Sequence, residues 1–319
     1  MGAAVFILAF VAILWLPFVF WQQESESVSW AEIVGQWLAY GSMGFFSFLW
    51  IATMLRDLAS LFVHYPLRSE HGNHCLFALA ALSFVLGMFN AFFGLRTRKS
   101  EIFFEKLPAA LDGLRIVQIS DVHVGPMIRE RALKRIAKKV RAAEPDLIVF
   151  TGDAVDGGVA DLGPLMRPLA ELEARYGKFY VPGNHEYYWG VVPWLEWFTS
   201  AGYRVLLNRH EILSIGDFKL LIAGVADPAA EMMKASDLPN VARALDGAPE
   251  DAYPRILLAH QPSIAREAEK HGVHLLLSGH THGGQFFPWT RAVGLVHEFP
   301  QGLMRLAKMW IYVSRGTGY

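Results

Sequence analysis

Five short polar motifs carry side chains that could hold metal ions. Each contains Asp, Asn or His and follows an apolar run. In chain order they are Asp121-Val122-His123, Gly152-Asp153, Gly183-Asn184-His185-Glu186, His260 and Gly279-His280-Thr281-His282. Carboxylate, amide and imidazole donors suit Mn, Fe or Zn. Each motif alone is also typical of a turn, a helix cap or a buried histidine, but five of them in one chain favour a shared metal site.

Other kinds of catalytic chemistry have less support in this sequence. The single cysteine, Cys75, lies in an apolar segment, which argues against a disulfide framework, a Cys-ligated zinc site and a thiol nucleophile. No Gly-x-x-x-x-Gly-Lys-Ser/Thr segment is present, so a P-loop nucleotide enzyme is not supported. By contrast, two divalent ions about 3.5–4 Å apart can hold a phosphate group and activate water. A histidine with a pKa of about 6.5 is suited to protonating a leaving group at neutral pH.

The motifs follow predicted strands of an α/β domain. Short apolar runs of β-branched residues predict buried strands. The runs are Leu114–Ile119, Asp146–Phe150, Lys178–Val181, Phe218–Ala223, Arg255–Ala259 and Val273–Leu277. A 3.6-residue apolar period predicts a helix over Ile128–Ala143. Its predicted buried face consists of Leu133, Ile136, Ala137 and Val140. Because open α/β sheets bind ligands at the carboxyl ends of their strands, we expect the motifs to converge there.

The N-terminal part of the chain has the composition of a membrane region. Residues 1–94 contain only seven charged side chains, whereas the following 225 residues contain 52. The apolar stretches 3–21, 34–55 and 76–95 are each long enough to cross a hydrocarbon core of about 30 Å. No basic segment precedes the first stretch and no small-residue cleavage site follows it, which favours a retained helix over a signal peptide. We therefore predict a transmembrane region over residues 1–98 and a soluble domain over residues 99–319.

Charge gives opposing indications of the side on which the domain lies. The loop around residues 22–33 has three glutamates and no Lys or Arg. Basic residues follow both the second and the third apolar stretch, and the positive-inside rule cannot favour both. We give more weight to the acidic first loop, which with three spans predicts an extracytoplasmic domain.

The series of motifs resembles the calcineurin-like metallophosphoesterase superfamily. The match extends over about Leu114 to Tyr319 and includes all five motifs. The segment Gly152-Asp153-Ala154-Val155-Asp156-Gly157 is similar to the bacterial branch of membrane-attached or exported phosphoesterases. The fold that this resemblance implies is α/β: a four-layer α/β/β/α sandwich, preceded here by N-terminal transmembrane helices.

The resemblance also implies a binuclear metal centre with a role for each motif residue. Asp121, His123 and His282 would hold the first ion. Asn184, His260 and His280 would hold the second, and Asp153 would bridge both. His185 would be the catalytic residue that protonates the leaving group, while Asp156 and Glu186 would support the site. The cofactors would be two divalent metal ions, with Mn, Fe or Zn as candidates.

The implied function is a membrane-anchored hydrolase that cleaves phosphomonoester or phosphodiester bonds by attack of a metal-activated hydroxide. Its partners would be the lipid bilayer, of a bacterial inner membrane, and a phosphoester substrate for which lipid linkage is one candidate. Residues 95–319 carry 27 basic and 25 acidic side chains, and this balance argues against nucleic acid. Two alternatives remain: a pyrophosphatase acting on a nucleotide-linked lipid precursor at the cytoplasmic face, and a non-catalytic membrane scaffold.

Two features near the C-terminus lead to further expectations. The apolar segment Gln285–Trp289, with Val293, Leu295, Val296 and Phe299 after it, could form a wall beside the metals or fill the core. Relatives usually continue beyond the point that corresponds to Tyr319. We therefore expect either a short domain or a C-terminally truncated one, with an exposed sheet edge.

Overall fold

The computed structural model describes residues 30–63, 67–233, 237–284 and 289–318. The chain divides into two units, Met1–Arg96 and Thr97–Tyr319. The predicted helix over residues 3–21 lies outside the described residues.

Two long apolar helices make up the described part of the first unit. They are α1 (Trp30–Ala59) and α2 (Glu70–Phe93), and segments Ile33–Ala59 and Glu70–Ala91 are long and apolar enough to cross a membrane. Helix α2 begins six residues before the predicted stretch because Ser69 caps it by accepting a hydrogen bond from the backbone N–H of Gly72, at 3.2 Å. The first turn of α2 is polar, so the apolar stretch in the sequence did not reveal where the helix begins.

The second unit contains two β-sheets. The first sheet is parallel, in the order β1-β2-β3-β4, and the second is mixed, in the order β5-β6-β7-β8-β10-β9. The strands of the first sheet are β1 (Ile116–Ile119), β2 (Leu147–Thr151), β3 (Lys178–Val181) and β4 (Tyr203–Val205). The strands of the second are β5 (Arg209–Ile215), β6 (Phe218–Gly224), β7 (Arg255–Leu258), β8 (Leu275–Ser278), β9 (Gly302–Leu306) and β10 (Met309–Val313).

Short helices connect these strands. They are α3 (Glu130–Ala142), α4 (Val159–Leu162), α5 (Arg167–Ala170), α6 (Asn184–Tyr188), α7 (Val191–Ser200), α8 (Ala229–Met232), α9 (Val241–Ala244), α10 (Ala265–Lys270) and α11 (Trp289–Val296). The predicted helix Ile128–Ala143 is confirmed as α3, and its four predicted apolar residues are buried.

Alternation along the strands separates the core into layers. In β6, Leu220 and Ile222 pack into the cluster between the two sheets, whereas Leu221 and Ala223 pack on the opposite face among residues of α9 and α10. On the outer face of the first sheet, the ring of Tyr180 stacks on Phe198 of α7 at 3.6 Å. Because both sheets bury both faces, the unit has the predicted four-layer α/β/β/α architecture.

The six predicted strands are confirmed, with ends that shift by at most two residues. Strands β4, β5, β9 and β10 were not predicted. Strand β4 has only three residues. Strands β5 and β9 are edge strands with mostly half-exposed side chains, so their sequences contain no continuous apolar run. Strand β10 pairs with β8 on one side and β9 on the other. The truncation expected at Tyr319 stays a prediction.

Candidate metal centre

The predicted site residues come together at the carboxyl ends of the strands. Asp121 lies two residues beyond β1, and Asp153 lies two residues beyond β2. Asn184 begins helix α6 just after β3, while His260 and His280 each lie two residues beyond β7 and β8. The strands thus deliver donors from both sheets to one edge of the sandwich, where open α/β sheets place their ligands.

The backbone at these positions is unusual. Five of the predicted ligands have positive φ angles between 50° and 74°, a region that residues other than glycine rarely adopt. They are Asp121, His123, Asp153, His280 and His282. Such conformations cost on the order of 1–3 kcal/mol each and persist only where surrounding contacts enforce them, as at functional sites. Here the loops after β1 and β2 hydrogen-bond to each other, with Val122 N–H donating to Asp153 O at 2.8 Å.

One group of donors consists of Asp121, His123 and His282. The Nε2 atoms of the two histidines lie 3.3 Å apart, and His282 Nε2 lies 3.5 Å from Asp121 Oδ1. Asp121 Oδ1 also accepts a hydrogen bond from His280 N–H at 2.9 Å. Asp121 Oδ2 is buried and has no hydrogen-bond partner among the described residues. A buried carboxylate oxygen beside two imidazoles fits a divalent cation.

A second group consists of Asp153, His260 and His280, with Asn184 beside it. His260 Nε2 lies 3.2 Å from Asp153 Oδ2, 3.1 Å from His280 Nδ1 and 3.1 Å from Asn184 Oδ1. The other ring nitrogen of His260 donates to Thr151 O at 2.8 Å, which directs Nε2 toward the cluster. The ligand atoms of the first three residues all lie within 4.8 Å of one another.

His185 lies at the open side of the cluster. Its Nδ1 donates to Asp156 Oδ1 at 2.6 Å, and its Nε2 lies 3.8 Å from Asp153 Oδ2. Asp156 Oδ1 also accepts from Nδ1 of His123 at 3.0 Å. His185 forms a third group of mutually close donors with His123 and Asp153, so proximity alone would also permit it to be a ligand.

Comparison with known proteins decides the family. Residues 114–284, more than half of the chain, match the family described as "Calcineurin-like phosphoesterase". The chain belongs to this family. His/Asp groups that could bind a metal ion are present among the residues that the structure describes.

Three relatives illustrate the range of similarity. An uncharacterized metallophosphoesterase of Aquifex aeolicus is 41% identical over 70% of this chain and 84% of its own length. The "Transmembrane protein with metallophosphoesterase domain" of Danio rerio is 37% identical over 76% of this chain and 57% of its own length. The protein of the same name from Bos taurus is 35% identical over 74% and 55%. This chain thus spans little more than half the length of the two animal relatives. Two helices in the described part of this chain, α1 and α2, are long and apolar enough to cross a membrane.

Burial and neighbouring charges set the protonation states in the phosphoesterase site. Burial alone would raise the pKa of the Asp153 carboxyl, but His260, His185 and His123 together lower it well below its usual range. Burial and the neighbouring His260 lower the pKa of His280 to about 3. An ionised carboxylate and a neutral imidazole are the forms that bind metal ions.

His260 and His185 have raised pKa values. Burial opposes protonation of His260, but the charge of Asp153 and their hydrogen bond raise its pKa. For His185 burial again opposes protonation, but the hydrogen bond that its ring donates to Asp156 and the nearby negative charge raise the pKa. The same negative charge would attract a cation to the phosphoesterase site.

Glu186 supports the site in a way that the sequence did not reveal. Its buried carboxylate accepts three backbone hydrogen bonds: from Gly183 at 2.6 Å, from Ala154 at 2.7 Å and from Asp153 at 3.0 Å. It therefore joins the loops after β2 and β3 and holds the backbone of Asp153 in its left-handed conformation. The sequence placed Glu186 within a motif, but only the fold brings the three N–H groups to it.

Gly279 shows why one motif needs glycine. A Cβ at this position would collide with Ser120 Oγ and Asp121 Oδ2. Only glycine therefore allows the loop before His280 to pass beside the ligand Asp121.

The structure describes part of the apolar segment after His282. Residues 285–288 and the side chain of Trp289 lie outside the described residues. Phe299 is buried in the core, whereas Leu295 and Val296 are exposed. Phe299 thus meets the expectation of core filling, and the wall beside the metals stays a prediction.

Proposed function

We propose that this chain is a membrane-anchored hydrolase that cleaves phosphomonoester or phosphodiester bonds with a binuclear metal centre. The observation that carries this proposal is the position of Asp153 between two groups of donors. Its Oδ2 atom lies 3.8 Å from His123 Nε2 of the first group and 3.2 Å from His260 Nε2 of the second. A carboxylate in this position suits a bridging ligand, which a single-metal site would not need.

The distances support a division of the ligands between two ions. Asp121, His123 and His282 would hold one ion, while Asn184, His260 and His280 would hold the other. When bound, the two ions would activate water and offset the negative charge of the phosphate. Mn, Fe and Zn all suit these oxygen and nitrogen donors.

The chain's own residues would orient the substrate and supply the proton. His185 is partly exposed and its Nδ1 is occupied by Asp156, so Nε2 is the nitrogen that faces the cluster. The raised pKa keeps a proton available on this ring, which suits protonation of the leaving-group oxygen. His260 is fully buried and hydrogen-bonded at both nitrogens, so it is suited to metal binding and not to proton transfer.

Restoring metal to depleted enzyme tests this proposal. The full chain, purified in detergent and treated with chelator, should hydrolyse an aryl phosphate monoester or diester only after Mn²⁺, Fe²⁺ or Zn²⁺ is added back. Bound metal measured by mass spectrometry should approach two ions per chain. Equal rates with and without metal, or saturation at one ion, would contradict the binuclear centre.

The extracytoplasmic side of a bacterial inner membrane is the location that we propose for the catalytic domain. The acidic loop around residues 22–33, which has no Lys or Arg, supports this orientation. Protease added to intact spheroplasts should then cleave the domain, whereas protection until lysis would place it in the cytoplasm.

A further inference from the structure

Exposed apolar side chains cluster beside the metal centre. In the described part of the second unit, eight large apolar side chains are exposed, and five of them lie on three short segments: the start of α7, the end of α8 and the end of α11. The first flank consists of Val192, Met232 and Met233. The second flank consists of Leu295 and Val296, which are 89% and 81% exposed. Grouped exposure of this kind marks interaction surfaces more often than scattered single residues do.

The first flank lies next to the proposed catalytic histidine. The ring of Tyr188 lies 5.5 Å from that of His185. Tyr188 and Val191 pack against the small cluster that helix α8 forms with Tyr187. Val192 follows Val191 in α7, while Met232 ends α8 and Met233 comes directly after it. The first flank therefore lies on the two helices that pack around Tyr187 and Tyr188, and Tyr188 contacts His185.

The second flank lies on the other side of the cluster. Helix α11 ends at Val296, and the next residue, His297, places its ring 6.2 Å from that of His280. Helix α11 also packs against the turn His282–Gly284. The two flanks thus border different parts of the site, one near His185 and the other near His280 and His282.

The length of the connecting chain brings a bilayer within reach of this domain. Helix α2 ends at Phe93, and Ile102 already packs against the core between the two sheets. The eight residues 94–101 separate them, and a fully extended chain of that length reaches only about 30 Å. A surface tethered so closely is present at high effective concentration.

We propose that the two flanks contact the lipid bilayer and that the site acts on a phosphate carried by a membrane lipid. This inference rests on the proposed phosphoesterase function, because it names the class of substrate for that same site. The chemistry of α11 suits a lipid headgroup region, since it combines exposed Leu295 and Val296 with Arg291 and contains no acidic residue.

Spin labels test the membrane contact without any need for catalysis. In the full chain with Cys75→Ser, the label is attached through Met232→Cys, Val296→Cys or, as a control, Phe218→Cys. Phe218 is also exposed and apolar, but it begins β6, whose other end leads to the site. In vesicles of phosphatidylcholine and phosphatidylglycerol, the first two labels should be accessible to oxygen and protected from a water-soluble nickel chelate. The Phe218 label should show the reverse.

Other outcomes of this measurement overturn the proposal. Equal access of nickel to all three labels would mean that the flanks face water. Protection of the flank labels from both relaxers would mean that a protein, such as a second copy of this chain, covers them.

Activity measurements test the class of substrate. Two aryl phosphates of the ester class that the enzyme hydrolyses are compared, one with a hexadecyl chain and one with a methyl group in its place. The double variant Leu295→Ser/Val296→Ser should lower kcat/KM for the hexadecyl ester at least about tenfold more than for the methyl ester. Phe218→Ser should leave kcat/KM unchanged for both esters. If both esters are hydrolysed equally well by the unaltered chain, the lipid inference is wrong. If neither is hydrolysed, the phosphoesterase proposal itself fails, while the label depths still judge the membrane contact.

Discussion

The two sides of the metal centre differ in how deeply they are buried. On the closed side, the side chains of Asp153 and His260 are 3% and 0% exposed, and His260, which follows β7 of the second sheet, donates to Thr151 O at the end of β2 of the first. On the open side, His185 and Asp156 are 22% and 27% exposed. Buried and fixed donors are suited to binding metal ions, whereas a residue that acts on the substrate must be accessible to it. The closed side therefore suits metal binding and the open side suits catalysis. Substitutions on the closed side should therefore change metal content, and those on the open side should change the rate.

Asp153→Asn should have the largest effect. The amide offers one oxygen where the carboxylate offers two, and it removes the charge that both groups of donors share. We expect the metal content to fall toward zero and kcat to fall by about 10³–10⁴-fold, as expected when several kcal/mol of charge stabilisation is lost. Metal analysis and steady-state kinetics on the same preparation measure both. Full metal content with a low rate would show that Asp153 does not bridge the ions.

His185→Ala tests the open side. If His185 protonates the leaving group, the rate should fall about 10²–10⁴-fold for an alkyl phosphate. The loss should be much smaller for a nitrophenyl ester, whose leaving group needs no proton. Metal content should stay at the level of the unaltered chain. If the metals are lost, His185 is a ligand in the group that it forms with His123 and Asp153, and the comparison between the two sides breaks down.

The sequence predicted the residues of this centre that lie next to strand ends, but not the contacts between residues that are far apart in the chain. Asp121, Asp153 and His280 follow strands directly, so their convergence could be predicted from strand ends alone. The hydrogen bonds that His123 and His185 donate to Asp156 could not be predicted. The partners are about 30 residues apart in the chain and meet only when β1, β2 and β3 are paired. The same applies to Glu186, whose three N–H donors come from two loops. The short and edge strands were missed because their apolar patterns are incomplete.

Asp156→Asn should have an intermediate effect that links the two sides. The carboxylate, with a pKa lowered to about 2 mainly by its hydrogen bonds to His123 and His185 against the opposing effect of burial, is ionised throughout the working range. It raises the pKa of His185, so the acid form of His185 survives to higher pH. Without the charge, the alkaline limb of the kcat/KM profile should move to lower pH, and the rate should fall about 10–100-fold. A profile that keeps its alkaline limb in place would assign that limb to another group.

Glu186→Gln should have the smallest effect, and it should appear as lost stability of the closed side. Glutamine presents an N–H₂ group to backbone N–H groups that now donate to a carboxylate oxygen, so at least one buried donor loses its acceptor. An unsatisfied buried group costs about 1–3 kcal/mol, which for a domain of this size corresponds to a Tm lower by roughly 2–10 °C. Glu171→Gln is the matched control, because Glu171 is an exposed carboxylate that pairs with Arg167 at the surface. It should leave Tm unchanged. Thermal unfolding of the metal-loaded full chains compares the two, and equal Tm values would show that the contacts of Glu186 do not hold the loops together.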